Sequence, residues 1–347
     1  MLIKGFAVYP GLDNAAEENL ELIEKAAALG YRKIFVSLHI PETDKVRLNK
    51  EIREILQRAA KYHMEVVADI GPETKDLQGI TSLRLDDGFS PEQVGKLLAA
   101  NGKRKIVLNG STITESFLQE LKKAQIDFRR LTALHNFYPR ANTGLEEKFF
   151  LQQNALLARY DIKVGAFIPS QSGPRGPLYE GLPTLETTRT QTASLGARFL
   201  AALGVEEIYF GDSLPAEEEL ADVAVVQDGI IVLTLATCTR SEKIREFLQG
   251  TFTTRPEEAK DLIRTIESRG RFKGHTIEPT VMGMRPAGTV TIDNKYFGRY
   301  QGELSIAKHL LPPEYRTTVV GHIPAAEIFL LHYLKPGTKF KFRTFTF

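Results

Sequence analysis

The sequence predicts an α/β protein, with a (β/α)8 barrel over residues 1–222 and a smaller β-rich domain over residues 223–347. Three observations carry this. Short apolar runs alternate with amphipathic helical stretches through the first two thirds of the chain, and the strand candidates number eight. No G-x-G-x-x-G follows the first strand, which argues against the main competitor, a doubly wound open sheet. Near Asp222 the pattern changes to strands broken by Asp-Gly, Asp-Asn and Pro-Gly turns.

The strand candidates are residues 2–9, 33–39, 65–70, 82–85, 105–109, 128–133, 163–168 and 207–210. Between most of them the apolar residues recur at helical spacing. Residues 17–29 place Leu20, Ile23, Ala27 and Ala28 on one stripe, and Gly30 stops the helix. Residues 48–62 turn Ile52, Ile55, Leu56 and Ala59 inward. Residues 91–100 start after Ser90, an N-cap with proline in the first helical position. Residues 114–124, 146–160 and 190–203 complete the set. The interval between the third and fourth strands is short, so its helix is expected to be degenerate. Beyond residue 223, strands are expected in VAVVQDGIIVLTLAT, TVTIDN, GELSIAKHL, TTVVGHI and KFKFRTFTF. One helix is expected at 256–266, with Ala259, Leu262, Ile263 and Ile266 on one face.

Composition excludes several classes. A hydrophobic fraction of 42% with 25% charged residues is that of a globular chain. The net charge is +2 and the basic residues are scattered; KRK at 103–105 and the C-terminal KFKFR read as solvated surface, not as a nucleic-acid interface. No apolar run approaches the roughly 18 residues needed to span a bilayer, so no membrane partner is expected. The single cysteine permits no internal disulfide and fits a reducing compartment. In LTLATCT, Cys238 reads as a small buried or semi-buried residue, since no partner pattern supports a nucleophile. The opening MLIKGFAVYP reads as a strand and not as a signal peptide, so the expected compartment is the cytoplasm. No P-loop, dinucleotide fingerprint or nucleophile elbow appears, and no cofactor is expected.

In a barrel of this kind the working residues sit at the C-terminal strand ends and in the loops that follow. Those ends are polar here. They give Tyr9; Ser37 and His39; Asp69; Arg84, Asp86 and Asp87; Asn109, Ser111 and Thr112; His135, Asn136, Tyr138 and Arg140; and Asp212 with Ser213. The seventh strand feeds a long Gly- and Pro-rich loop, IPSQSGPRGPLYEGLPTLE, that carries Arg175, Tyr179, Glu180 and Glu186. Arg175, set between glycines and prolines, has little helix or core role and suits an anion. Carboxylates, histidines, amides and phenols in one ring suit a carbohydrate, which needs hydroxyl binding plus two carboxyl groups for cleavage. Each residue also has a plainer reading. Asp212-Ser213 before EEEL equally reads as a helix cap. Asp69 before Gly71-Pro72, and Asp86 and Asp87 before Gly88, resemble turn residues. His39 and His135 are as readily structural. A metal set of His39, Asp69, His135 and Asp212 lacks any tight H-x-H or H-x-x-x-H pair, so no metal is expected.

The same residues carry a resemblance. LHIPE (38–42), ADIGP (68–72), LRLDDGF (83–89), HNFYPRANTGL (135–145), GPRGPLYEGLPTLE (173–186), GDSLPAEEEL (211–220) and TVTIDNKYFGRYQGELSI (289–306) resemble the bacterial 6-phospho-N-acetylmuramidase family in the same order over nearly the whole chain. Gly110 stands where that pattern has alanine, and Asp87 sits where it varies, which favours Asp86. The resemblance implies a TIM barrel coupled to a cyclophilin-like β-domain. It also implies a cytoplasmic glycosidase acting on N-acetylmuramic acid 6-phosphate–N-acetylglucosamine in cell-wall recycling. The chemistry of such a cleavage, which needs a proton donor and a second carboxylate, narrows the catalytic pool to Asp69, Asp86, Glu186 and Asp212, with the substrate's 2-acetamido group as an alternative nucleophile. Substrate binding then falls to His39, Asn109, His135, Asn136, Tyr138, Arg140, Arg175 and Tyr179, with Arg285, Asn294 and Arg299 from the β-domain. Against this, TIDNKYFGRYQGEL equally reads as a plain hairpin with an Asp-Asn turn. A sugar-phosphate sensor without turnover is the reading from another functional class, and a metal-dependent hydrolase or isomerase on the same barrel is a third.

Overall fold

The computed structural model describes residues 2–12, 14–38, 40, 42–71, 80, 82–86 and 88–346. The chain divides into two compact units, Met1–Val226 and Gln227–Phe347.

The first unit is a closed barrel of parallel strands: β1 (Ile3–Val8), β2 (Lys33–Ser37), β3 (Glu65–Ile70), β4 (Ser82–Leu85), β5 (Lys105–Asn109), β6 (Leu131–Leu134), β7 (Val164–Ile168) and β8 (Glu207–Phe210). Closure comes from β1 pairing with β8, Ile3 opposite Glu207. The helices are α1 (Ala16–Ala28), α2 (Lys45–Lys61), α3 (Pro91–Ala100), α4 (Glu115–Lys123), α5 (Glu147–Ala158), α6 (Ala193–Ala202) and α7 (Glu217–Ala224). The degenerate helix expected between β3 and β4 falls on residues 72–79, outside the described residues.

Local chemistry sets the helix starts. Ser90 accepts from the Gln93 N–H, Asp44 from Val46 and Arg47, and Thr114 from Phe117, each satisfying donors that the first turn leaves unpaired. The buried stripe of α1 is Asn19, Leu22, Ile23 and Ala26, so of the expected stripe only Ile23 is buried. In α2, Leu48 and Glu51 are buried with Ile55 and Ala59, while Ile52 and Leu56 lie at the margin. Glu51 goes inward because its carboxylate accepts from the Gly11 N–H at 2.8 Å.

Strand alternation fills the barrel in layers. Ala7, Tyr9, Phe35, Val67, Val107, Leu134, Phe167 and Tyr209 form one cluster with Leu182 from the loop after β7. Phe137 caps it, with its ring edge-on to Phe167 at 5.1 Å. Burying each of these aromatic side chains contributes about 2–3 kcal/mol. At the opposite, N-terminal end the interior is charged. Lys33 Nζ lies 2.7 Å from Glu207 and 3.6 Å from Glu65, and the Tyr209 hydroxyl donates to Glu207.

The second unit adds β9 (Ile230–Thr237), α8 (Glu242–Leu248), β10 (Thr251–Thr253), β11 (Leu262–Arg264), β12 (Thr289–Asp293), β13 (Leu304–Ala307), β14 (Thr317–His322) and β15 (Lys339–Thr346). They form a seven-stranded sheet in the order β10-β15-β9-β14-β12-β13-β11. β9 and β15 run parallel, and the other pairs are antiparallel.

Three expectations are corrected here. Residues 256–266 are not a helix; β11 pairs with β13, Ile263 opposite Ile306. The apolar residues there fit a strand, since Ile263 is buried and Ile266 is 51% exposed. The helices that flank it are α8, capped by Ser241, and a short one at Ser268–Arg271. Cys238 is exposed at the end of β9, not buried. Residues 289–307 do form an antiparallel hairpin, but a 3-10 stretch, Lys295–Tyr300, joins its strands in place of a two-residue Asp-Asn turn. No helix among the described residues is long and apolar enough to cross a membrane.

Candidate functional site

The parallel register places Asp69 of β3 directly opposite Arg84 of β4. Both are buried, and Arg84 Nη1 donates to Asp69 Oδ1 at 2.5 Å. The same guanidinium crosses to β6, where it donates to the Leu134 carbonyl and to Asn136 Oδ1. Arg84 therefore fixes a carboxylate and an amide at the C-terminal end of the barrel, and a bidentate fork is the group suited to that.

Behind this pair a relay holds β5 against β6. His135 is fully buried and stacks on Phe150 of α5, ring centroids 4.5 Å apart. Burial pushes its imidazole down to about 4, a bond from Asn154 opposing and the charge of Arg84 reinforcing, so the ring is neutral near pH 7. Its Nε2 meets Asn154 Oδ1 at 2.9 Å and its Nδ1 meets the Ser111 hydroxyl at 3.2 Å. With Nε2–H donating to the amide, Nδ1 accepts from Ser111, whose oxygen accepts the Asn136 N–H at 2.9 Å. The geometry makes His135 a positioning group, with no exposed surface to offer a ligand.

Asn109 ends β5. Its Oδ1 accepts from the Ser111 N–H, while its buried Nδ2 has no partner among the described residues. Half-buried Asp86 follows β4 and donates its N–H to Ile70. Asp86 and Asn109 line one small cavity of about 180 Å3, walled by Leu85, Phe89, Leu108 and Phe117.

On the other side of the mouth, Asp212 organises the loop after β7. It is fully buried, and it accepts N–H bonds from Ser170 (2.8 Å), Leu182 (3.1 Å) and Arg175 (2.9 Å). Burial pushes its carboxyl up to about 6 against those three donors and the charge of Arg175. The loop lies so close that a Cβ at Gly173 would collide with the Leu214 carbonyl, and one at Gly211 with that of Leu182. Arg175 is buried and its guanidinium lies over the Tyr9 ring (4.4 Å) and the Phe137 ring (5.3 Å). Its Nε donates to the Gly176 carbonyl, and its Nη1 is buried without a partner among the described residues. Tyr9 donates to the Gly211 carbonyl at 2.5 Å; burial drives its phenol well above the usual range, with Arg175 opposing and Asp212 and Asp69 adding to it. Asp69 near the end of β3, Arg175 over the Tyr9 ring and Asp212 just after β8 thus all lie at the C-terminal end of the barrel.

Glu186 is held differently. Its oxygens accept from the Asn142 and Gly144 N–H groups and from the fork of Arg189 at 2.7 Å. The Arg189 bond, with those N–H groups, outweighs desolvation and pulls the carboxyl down to about 2. Arg189 also donates to the carbonyls of Tyr138, Arg140, Glu180 and Gly181, and so fastens the loop after β6 to the loop after β7. Sequence reasoning missed Arg189; a lone arginine in a TTRT stretch carries no signal. Arg84 stood among the polar strand ends, but only the β3–β4 register identifies its partner.

Among the rim residues, Tyr138 is half-buried, and Arg140 and Tyr179 are exposed. His39 lies outside the described residues. Arg285, Asn294 and Arg299 belong to the second unit. Asn294 is fully buried and structural: its Oδ1 accepts from the Tyr296 N–H and its Nδ2 donates to the Tyr315 carbonyl. Arg299 is exposed and lies on Tyr300. No group of three metal-ligating side chains occurs among the described residues.

Two family models match the chain. The N-terminal part of 6-phospho-N-acetylmuramidase covers residues 4–225 and its C-terminal part covers residues 231–343. Among solved structures, the chain is similar to an uncharacterized B. cereus protein, with 28% identity and a TM-score of 0.90 over 98% of this chain and 99% of that one. It is also similar to a conserved Enterococcus faecalis protein of unknown function, with 33% identity and a TM-score of 0.73 over 99% and 96%. A comparison with curated proteins finds no match.

Proposed function

The chain belongs to the 6-phospho-N-acetylmuramidase family, and on that premise we propose that it is a cytoplasmic glycoside hydrolase releasing N-acetylmuramic acid 6-phosphate and N-acetylglucosamine from their disaccharide during peptidoglycan recycling. The observation that carries this reading is the placement of Asp69 near the end of β3 and of Arg175 over Tyr9 at the same end of the closed barrel, with one buried guanidinium nitrogen, Nη1, that lacks a partner among the described residues. A buried cationic donor without an acceptor favours an anionic ligand group, here the 6-phosphate or the lactyl carboxylate.

Glycoside cleavage passes through an oxocarbenium-like transition state and needs two carboxyl groups, or one that assists the substrate's 2-acetamido group. Geometry ranks the pool before proton affinity does. Asp212 has the proton affinity of a general acid, but its oxygens are committed to backbone donors and it has no exposed surface. Glu186 is held at about 2, too strong an acid to protonate a leaving group near neutral pH. Asp69 and Asp86 remain as the reacting pair. In this reading Arg84 and Asn136 orient Asp69, while Asp212, Glu186 and His135 are positioning residues.

The sensor reading is kept because Asp69, Glu186 and Asp212 are all held by protein donors. The decisive experiment incubates the purified protein with the 6-phosphorylated and the unphosphorylated disaccharide. Cleavage confined to the phosphorylated form is expected, and its absence refutes the proposal. Asp86→Asn is expected to lower kcat by about 10²–10⁴-fold with KM little changed. A binding protein would show retained affinity and no turnover to lose.

A further inference from the structure

The second unit contains a cavity of about 430 Å3 lined by its own residues. Its size falls within the roughly 300–1,000 Å3 of small-molecule sites. It lies on the β11-β13-β12 edge of the sheet, and its chemistry is uneven in an informative way.

Most charges around it are already matched. Glu303, nearly fully buried, receives Arg264 Nε at 2.5 Å, with Arg255 Nε at 3.5 Å and Arg269 Nε at 3.7 Å. Glu314 takes the fork of Arg316 at 2.7 and 2.8 Å. Two lining groups are only partly matched. Arg285 is only 9% exposed; its Nε donates to the Pro312 carbonyl and its charge helps hold the Glu314 carboxyl down, but its terminal nitrogens make no hydrogen bond to the described residues. Asp293, at the end of β12, makes no side-chain hydrogen bond to any described residue. Burial, and then the charges of Glu303 and Glu314 against those of Arg264 and Arg269, push its carboxyl up to about 7. Phe297 and Tyr300 provide ring faces on the same wall.

A guanidinium lining a cavity suits an anionic acceptor, a carboxyl beside it suits hydroxyl or amide donors, and aromatic faces suit the C–H face of a pyranose. We propose that this cavity is a separate binding site for an anionic monosaccharide, with Arg285 on the phosphate or carboxylate, Asp293 on the hydroxyls and Tyr300 against the ring. The assignment does not rest on the barrel being a glycosidase.

The test is calorimetric titration of the full chain with glucose 6-phosphate, glucuronate and glucose, the first two separating a phosphate from a carboxylate anion. The expected result is a binding event for at least one anionic sugar, at least about tenfold tighter than for glucose. Arg285→Gln and Asp293→Asn should each weaken that event by about tenfold or more, while Arg175→Gln leaves it within about twofold. Asp293 is half-buried, so Asp293→Asn is the milder change and reports even where Arg285→Gln does not fold. No event sensitive to Asp293→Asn, or an event equally lost in Arg175→Gln, overturns the proposal. Failure here leaves the cleavage assay untouched, and the reverse also holds.

Discussion

Replacing Asp212 with asparagine separates a carboxylate that holds a loop from one that meets the substrate. In the structure its Oδ2 takes the Ser170 and Leu182 N–H groups and its Oδ1 takes that of Arg175. An asparagine keeps its carbonyl oxygen on the first two and turns an NH2 group toward the Arg175 N–H. One charge-assisted bond is lost and one buried donor is left facing another donor, a loss of about 1.5–3 kcal/mol. Part of this is offset, because burial disfavours the charge that asparagine removes. The net destabilisation expected is about 1–2 kcal/mol, or a fall in Tm of about 2–8 °C for a unit of this size. Since Arg175 hangs from the affected bond, KM should rise about tenfold while kcat falls by less. Thermal melts followed by steady-state kinetics on the phosphorylated disaccharide measure both. An unchanged Tm with kcat reduced about a thousandfold at constant KM would refute the reasoning and return Asp212 to the reacting atoms.

Three further outcomes follow from the same geometry. Arg189→Ala leaves Glu186 only its two N–H donors and four loop carbonyls without their cation, and should cost about 3 kcal/mol, read by denaturant unfolding; a loss below about 1 kcal/mol contradicts the fastening role. Arg84→Lys cannot reach Asp69 and Asn136 together, so kcat should fall about 10–100-fold with the circular dichroism spectrum unchanged; wild-type kinetics would show that Arg84 does not orient Asp69. The Asp293 carboxyl is raised from 3.8 to about 7, so its contribution to stability is full below about pH 4 and is lost as pH rises through about 7. Wild-type protein should therefore lose about 1–2 kcal/mol between pH 5 and pH 8 that Asp293→Asn retains, solvent in the cavity reducing the full linkage value; parallel stability profiles for the two proteins would exclude it.

Much of the barrel was legible because parallel strands buried on both faces write themselves as short apolar runs, and because Ser90-Pro91 and Gly30 mark helix ends locally. What failed was information held in pairing. Residues 256–266 show apolar spacing compatible with a helix, and only the partner strand β13 makes 262–264 extended. At the site, residue types at strand ends were readable, but their division of labour was not. Asp212 and Asp69 look alike in sequence, yet one faces three backbone donors and the other a guanidinium across a β-register. His135 was equally ambiguous until α5 covered its ring. Long-range contacts decide such cases, and a linear pattern does not carry them.

The arginine that bridges the sixth and seventh strand-end loops has a mechanical consequence. Because one planar cation binds main-chain oxygens on both segments, neither can swing outward alone without leaving several acceptors dry. That arc of the rim behaves as a fixed jamb, and insertions or deletions in either segment have to be matched by compensating change in the other.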